Sequence, residues 1–132
     1  MATKILDSWA LIAFFEDEPA AEEVEKILQR AADEKHKLVM SVVNWGEVYY
    51  ILIKEYGPDK AREAIALIET FPVDIVSDDK ETAKQAAHYK ALKKLPYADS
   101  FAAALTKIHK GELLTADKEF KLVEDDIKVH WI

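Results

Sequence analysis

The chain has no cysteine, three glycines, a single asparagine, and no apolar run near the roughly 18 to 20 uncharged residues of a membrane span. Without cysteine there are neither disulfides nor thiolate metal sites, and a reducing, cytoplasmic interior is the default expectation. Three glycines cannot assemble a phosphate-cradling glycine loop. The start, MATKILDSWA, brings in an acid at position 7 with no small-residue cleavage site after it, so no secretory signal is expected. What is present is a chain of 132 residues, half of them hydrophobic. That is enough for one core and too little for two, so residues 1–132 are expected to form a single domain.

The net charge of -7 runs against the basic footprint usual in nucleic-acid binding. The charge is unevenly spread, however. Between positions 80 and 110 stand Lys80, Lys84, Lys90, Lys93, Lys94, Lys107 and Lys110 against only Glu81 and Asp99. A basic stretch holding one isolated acid is compatible with a phosphate-facing surface, although a lysine run alone more often marks a solvated helix face.

The hydrophobic period switches repeatedly between strand-like and helix-like, the pattern of an alternating α/β chain. Strands are expected at Lys4–Leu6, Leu38–Met40, Phe71–Val76, Leu113–Leu114 and Ile127–Trp131. Helices are expected at Ser8–Phe15, from Pro19 onward, at Val42–Tyr56 behind a Ser41 cap, from Pro58, at Asp79–Leu95 and at Asp99–His109, with a helical turn at Lys118–Phe120. Gly57 and Pro58 are the stop and start residues of successive helices. Strands separated by helices pair in parallel through right-handed crossovers, which predicts a three-layer α/β/α sandwich. Ligands in such folds bind outside the carboxyl ends of the strands, where the strand order reverses.

Four acids are candidates for that edge. Asp7 follows the first strand, Asp117 follows the fourth after Thr115 and Ala116, Glu47 lies two turns into the helix after the second strand, and Asp99 lies in the first turn after Pro96. Each has an ordinary structural explanation: Asp7 and Asp117 as helix caps, Asp99 as a first-turn acid favoured by the helix dipole, Glu47 in a polar stripe with Asn44, Lys54 and Glu55. Glu47 fits that explanation least well. Its neighbours Val43, Trp45, Val48, Tyr49 and Ile51 are apolar, and an ionised carboxylate among them needs a cation or strong hydrogen bonds. Converging carboxylates without His or Cys favour Mg2+ or Mn2+ over Zn2+, and such a centre suits phosphodiester hydrolysis. His36, His88, His109 and His130 show no zinc-like spacing, and no Ser–His pairing can be argued.

The segments LDSWALI, SVVNWGEVYYIL, LPYADSFAAAL and LLTADKEF, in this order and spacing, closely resemble the four motifs of PIN domains, and within that family the VapC-type toxins of bacterial and archaeal toxin–antitoxin pairs. The resemblance covers almost the whole chain. It implies a five-stranded parallel α/β/α domain acting as a Mg2+- or Mn2+-dependent endoribonuclease, in which the family's acids fall on Asp7, Glu47, Asp99 and Asp117. The hydroxyl residues Thr115 and Ser8 are then expected to orient water or carboxylate. It also implies a homodimer inhibited by a small antitoxin. The apolar residues of helix 42–56, among them Trp45, Tyr49, Leu52, Ile53 and Tyr56, cover roughly 220° of its circumference, more than one core needs. A neighbouring helix and a protein partner are equally good covers for the surplus. Trp9, Phe14 and Phe15 raise the same question. A PIN nuclease of RNA processing without an antitoxin, and a non-catalytic α/β interaction module, stay open as alternatives.

Overall fold

The computed structural model describes residues 2–16 and 19–132. β1 (Thr3–Leu6) runs into α1 (Ser8–Phe15), and α2 (Ala21–Ala32) leads to β2 (Lys37–Ser41). α3 (Val42–Tyr56) and α4 (Pro58–Ile68) precede β3 (Val73–Val76), and α5 (Lys80–Lys93) and α6 (Tyr97–Ile108) precede β4 (Glu112–Thr115). A 3-10 turn at Lys118–Val123 connects to β5 (Lys128–Trp131).

Local chemistry accounts for most of these boundaries. The Ser41 hydroxyl accepts from the Val43 N–H at 3.0 Å, which satisfies one of the free donors at the start of α3. Gly57, at φ 88°, closes α3 in a conformation that suits glycine, and Pro58 opens α4 where no N–H is needed. Most starts fall within one residue of the sequence expectation, and the three that differ by two stand at prolines. α2 begins at Ala21 because Pro19 and Ala20 form a turn before it. β3 begins at Val73, since Pro72 has no N–H to give to a ladder. α6 begins at Tyr97 because Pro96, extended at ψ 149°, already serves as its cap. Asp99 lies within the first turn, as the sequence expects.

The strands pair all in parallel in the order β3-β2-β1-β4-β5. The chain therefore starts in the middle of the sheet, builds outward to one side, and crosses back to fill the other. The reversal falls between β1 and β4, where Leu6 pairs with Leu114. Alternation along the strands divides the interior into two layers. Leu6, Leu38, Met40 and Leu114 pack with Leu11, Val24, Leu28, Val48 and Leu52 of α1 to α3. Ile5, Val39 and Leu113 pack on the opposite face with Tyr89, Ala102, Leu105 and Phe120. Helices thus cover both faces, as the sequence predicts. No helix among the described residues is long and apolar enough to cross a membrane.

The wide apolar face of α3 is shared out. Trp45 and Tyr49 meet edge-to-face at 5.8 Å and pack against the α1–α4 core, together with Phe14 and Phe15. Tyr50, Ile53 and Tyr56 stay exposed. The sheet and neighbouring helices therefore take most of the surplus, and a remainder faces outward.

β4 can sit beside β1 only because position 111 lacks a side chain. A Cβ there would lie 2.5 Å from the backbone oxygen of Thr3, which cannot move without disturbing the β1–β4 pairing. Gly111→Ala is therefore expected to destabilise the protein by about 1–3 kcal/mol, the usual cost of forcing atoms into a filled space. Chemical denaturation of the variant against the parent chain measures it, and an unchanged midpoint would contradict the packing described.

Candidate active site

The register that pairs Leu6 with Leu114 places the next residues of the two strands, Asp7 and Thr115, side by side at the carboxyl edge. Asp7 is 2% exposed, and both of its oxygens are engaged. Oδ1 accepts from the Ala10 N–H at 3.0 Å and caps α1, and Oδ2 accepts from Thr115 Oγ1 at 2.5 Å. Thr115 Oγ1 in turn accepts from the Asp117 N–H at 2.9 Å, so a single hydroxyl ties the first acid to the last. Asp117 caps the 3-10 turn through the Glu119 N–H at 3.0 Å. The capping explanations are thus correct for Asp7 and Asp117, and they do not compete with a role at the site, because capping is what aims these carboxylates at the edge.

Glu47 and Asp99 come from helices. Both line one cavity of about 310 Å³ together with Asp7, Ser8, Asp117 and Glu119. Trp9 and Ile12 of α1, Ile51 of α3, and Pro96 supply its apolar side. Of the residues singled out in the sequence, only Thr115 stands behind the cavity rather than on its wall. Ser8 reaches the wall, but its hydroxyl is committed to Asn44, donating to the Asn44 backbone oxygen at 3.2 Å. No lysine of positions 80–110 lines the cavity. Lys93 pairs with Asp125 at 3.4 Å and Lys107 with Asp126 at 2.7 Å, so the basic stretch is partly neutralised within the chain.

Two contributors were not singled out from the sequence. Asn44 is fully buried, and its Nδ2 donates to Ser8 Oγ at 3.3 Å and to the Ala98 backbone oxygen at 3.0 Å. This one side chain joins the start of α1, the shaft of α3 and the first turn of α6, the segments that carry Asp7, Glu47 and Asp99. Its signal in the sequence is its place one turn before Glu47 on the same helix face. Glu119 lies two residues beyond Asp117 and adds a fifth carboxylate.

Electrostatics follow from the crowding. Burial pushes the Asp7 carboxyl up to about 7, with Asp117 and Glu47 adding to the rise and the Thr115 hydroxyl and Ala10 N–H opposing it. Asp99 is pushed up to about 8, first by burial and then by Asp117, Asp7 and Glu47. The side chain of Asp117 beside it adds a last, smaller rise. Among the described residues, no three of the acids converge closely enough as they stand to be joint metal ligands. The donor set nonetheless fits a hard divalent cation: it is all oxygen, with no His or Cys among the lining residues.

The match to known proteins agrees with this architecture. The family model of the PIN domain matches residues 4–126, and the chain belongs to that family. Ribonuclease VapC30 of Mycobacterium tuberculosis is 29% identical over 124 residues, covering 89% of this chain and 92% of the relative. Among solved structures, VapBC2 from Rickettsia felis, bound to a DNA fragment from its promoter, superimposes with a TM-score of 0.77 at 11% identity, covering 97% of each chain. The sarcin-ricin loop cleaving toxin VapC20 of Mycobacterium tuberculosis superimposes with a TM-score of 0.69 at 12% identity, over 94% of this chain and 95% of that one.

The raised acids make stability depend on pH with a definite sign. A carboxyl whose folded pKa lies above its unfolded value holds its proton more tightly when folded, so the contribution of Asp7 and Asp99 to stability is fully present below the ordinary value of 3.8 and is lost as pH rises through about 7 and about 8. In EDTA, the melting temperature is expected to fall between pH 5 and pH 8.5, and Asp99→Asn to flatten the fall. Added Mg2+ or Mn2+ is expected to raise the melting temperature more at pH 8.5 than at pH 5. A melting temperature that climbs with pH in EDTA would show that the acids do not repel one another as described.

Proposed function

We propose that the protein is a Mg2+- or Mn2+-dependent endoribonuclease and the toxin of a toxin–antitoxin pair. The observation that carries this reading is the gathering of Asp7, Glu47, Asp99 and Asp117, far apart in sequence, on one cavity wall at the topological switch point. Membership of the PIN family and the ribonuclease names of the relatives supply the substrate class.

In this reading Asp7 and Asp99 are the principal metal ligands, and Glu47 and Asp117 complete the negative wall. Bound there, a divalent ion would polarise the phosphodiester and lower the pKa of an attacking water. The chain's own residues do the positioning. Thr115 holds one Asp7 oxygen, the α1 N-terminus holds the other, and Asn44 fixes the helices that carry Glu47 and Asp99. Ser8 sets the α1–α3 spacing through Asn44 rather than meeting substrate. Ionised carboxylates opposite the phosphate are also suited to accept the proton released by water.

For partners, the reading takes RNA as substrate, a small antitoxin as inhibitor, a homodimer as the working assembly, and the cytoplasm as its place. Two of the solved structures that superimpose, one from Klebsiella pneumoniae and VapBC-5 from Mycobacterium tuberculosis, are named as belonging to toxin–antitoxin complexes or systems, and the outward remainder of α3 at Tyr50, Ile53 and Tyr56 is an apolar surface a protein partner would cover.

Freed of any partner, the protein is expected to cut single-stranded or looped RNA internally when Mg2+ or Mn2+ is present, and to stop in EDTA. Asp7→Asn and Asp99→Asn should each lower the rate by roughly two orders of magnitude or more, as when a group that stabilises transition-state charge is lost. Gel analysis of a labelled RNA reads this directly, with circular dichroism confirming that each variant is folded. Undiminished cleavage by either folded variant would remove these carboxylates from the mechanism.

A further inference from the structure

We propose that Trp9 is the substrate-recognition residue of this site, stacking an unpaired nucleobase next to the phosphodiester that is cut. The inference rests on the nuclease reading above and adds to it what holds the RNA.

Trp9 lines the acidic cavity and also a second hollow of about 340 Å³ formed with Pro19, Ala20, Glu23 and Ile132. Among the described residues it is the only one common to both linings. The indole therefore divides the place where the phosphodiester is cleaved from an adjoining space large enough for a planar group. It also lacks an evident structural task. Phe14 and Phe15 pack against each other at 5.4 Å and against the α1–α4 core, and Trp45 pairs with Tyr49. Trp9 is half-buried and, among the described residues, joins no core cluster and no ring pair.

Charge selects the occupant. Neither lining contains a lysine or arginine, and Glu23 adds a negative group to the second hollow. A phosphate is repelled there, so the part of a nucleotide that suits it is the neutral, planar base. Stacking on an aromatic ring needs a base face that no neighbouring base covers, which selects single strands and loops over duplex.

The test compares Trp9→Leu, which keeps an apolar side chain without an aromatic face, with Trp9→Phe, which keeps one. Cleavage of a short single-stranded oligoribonucleotide in Mn2+ gives kcat and KM. Binding of the same sequence with 2′-O-methyl riboses gives an equilibrium Kd at two salt concentrations. Trp9→Leu is expected to raise KM and Kd about tenfold, the size of one lost base–aromatic stack, with the loss in KM rather than kcat. The dependence of Kd on salt should not change, because no phosphate contact is removed. Trp9→Phe should recover most of the affinity. If Trp9→Leu cleaves and binds as the parent does, the stacking role is wrong and the nuclease reading stands. If the parent protein cuts no RNA with either metal, the nuclease reading fails, and Trp9 is then judged by Kd alone: an unchanged Kd in Trp9→Leu overturns its role. A lower kcat with unaltered Kd would also overturn it, by showing that Trp9 shapes the acidic wall instead.

Discussion

Mutual repulsion among carboxylates is the constraint on which the rest of this molecule turns. Asp7, Glu47, Asp99 and Asp117 come from four separate stretches of chain and share one cavity. Left to themselves, side chains of like charge would swing apart into water. Here the backbone holds them in a buried place, and burial first, with repulsion added to it, pushes the Asp7 and Asp99 carboxyls well above the usual carboxylate range. A site of this kind stores a demand for positive charge. Protons meet part of that demand, and under the proposed function a divalent cation would meet the rest.

The scaffold that sustains this crowding is itself hydrogen-bonded to the acids. Asp7 is both a helix cap and a wall of the cavity, and Thr115 connects it to the backbone of Asp117. Asn44 does the corresponding work for the helices, reaching the α1 start through Ser8 and the α6 start through Ala98. These contacts are buried, where a hydrogen bond is strong and its loss leaves partners unpaired. A capping bond and a place on the cavity wall are therefore compatible for the same carboxylate. The capping bonds set the direction in which the remaining lone pairs face.

Much of this arrangement can be read from residue pattern alone, because the elements are short and their ends carry strong signals. Ser41, Gly57 and Pro58 mark the limits of α3 and α4 by backbone chemistry, and the alternation of apolar strands with helices dictates a parallel sheet. The acids at positions 7 and 117 are placed by chain order, since each directly follows or nearly follows a strand. Glu47 and Asp99 depend on where two helices start and how they tilt, which no local signal contains. The role of Asn44 depends on contacts 36 and 54 residues away in sequence, and its polar side chain looks like a surface residue until α1 and α6 close over it. The lysines of α5 and α6 mislead for the same reason. Their charge is clear from the sequence, but their direction and their pairing with Asp125 and Asp126 are not.

A chain with net charge -7 and an acidic cavity meets a polyanion at an electrostatic disadvantage. Long-range attraction, which usually gathers nucleic acid onto a protein, is not available at the cavity itself. Two kinds of contact remain. A divalent cation held by these carboxylates would reverse the sign of the potential over a few ångströms and no further, because the surrounding acids screen it. Contacts to the bases carry no charge and are indifferent to it. The apolar side of the cavity, with Trp9, Ile12, Ile51 and Pro96 facing the acids, is consistent with that division: chemistry on one wall, neutral adhesion on the other. Binding of this type is weak at a distance and strong only in contact. Its selectivity then lies in which nucleotides can expose a base face beside a phosphate, rather than in how many phosphates the substrate carries.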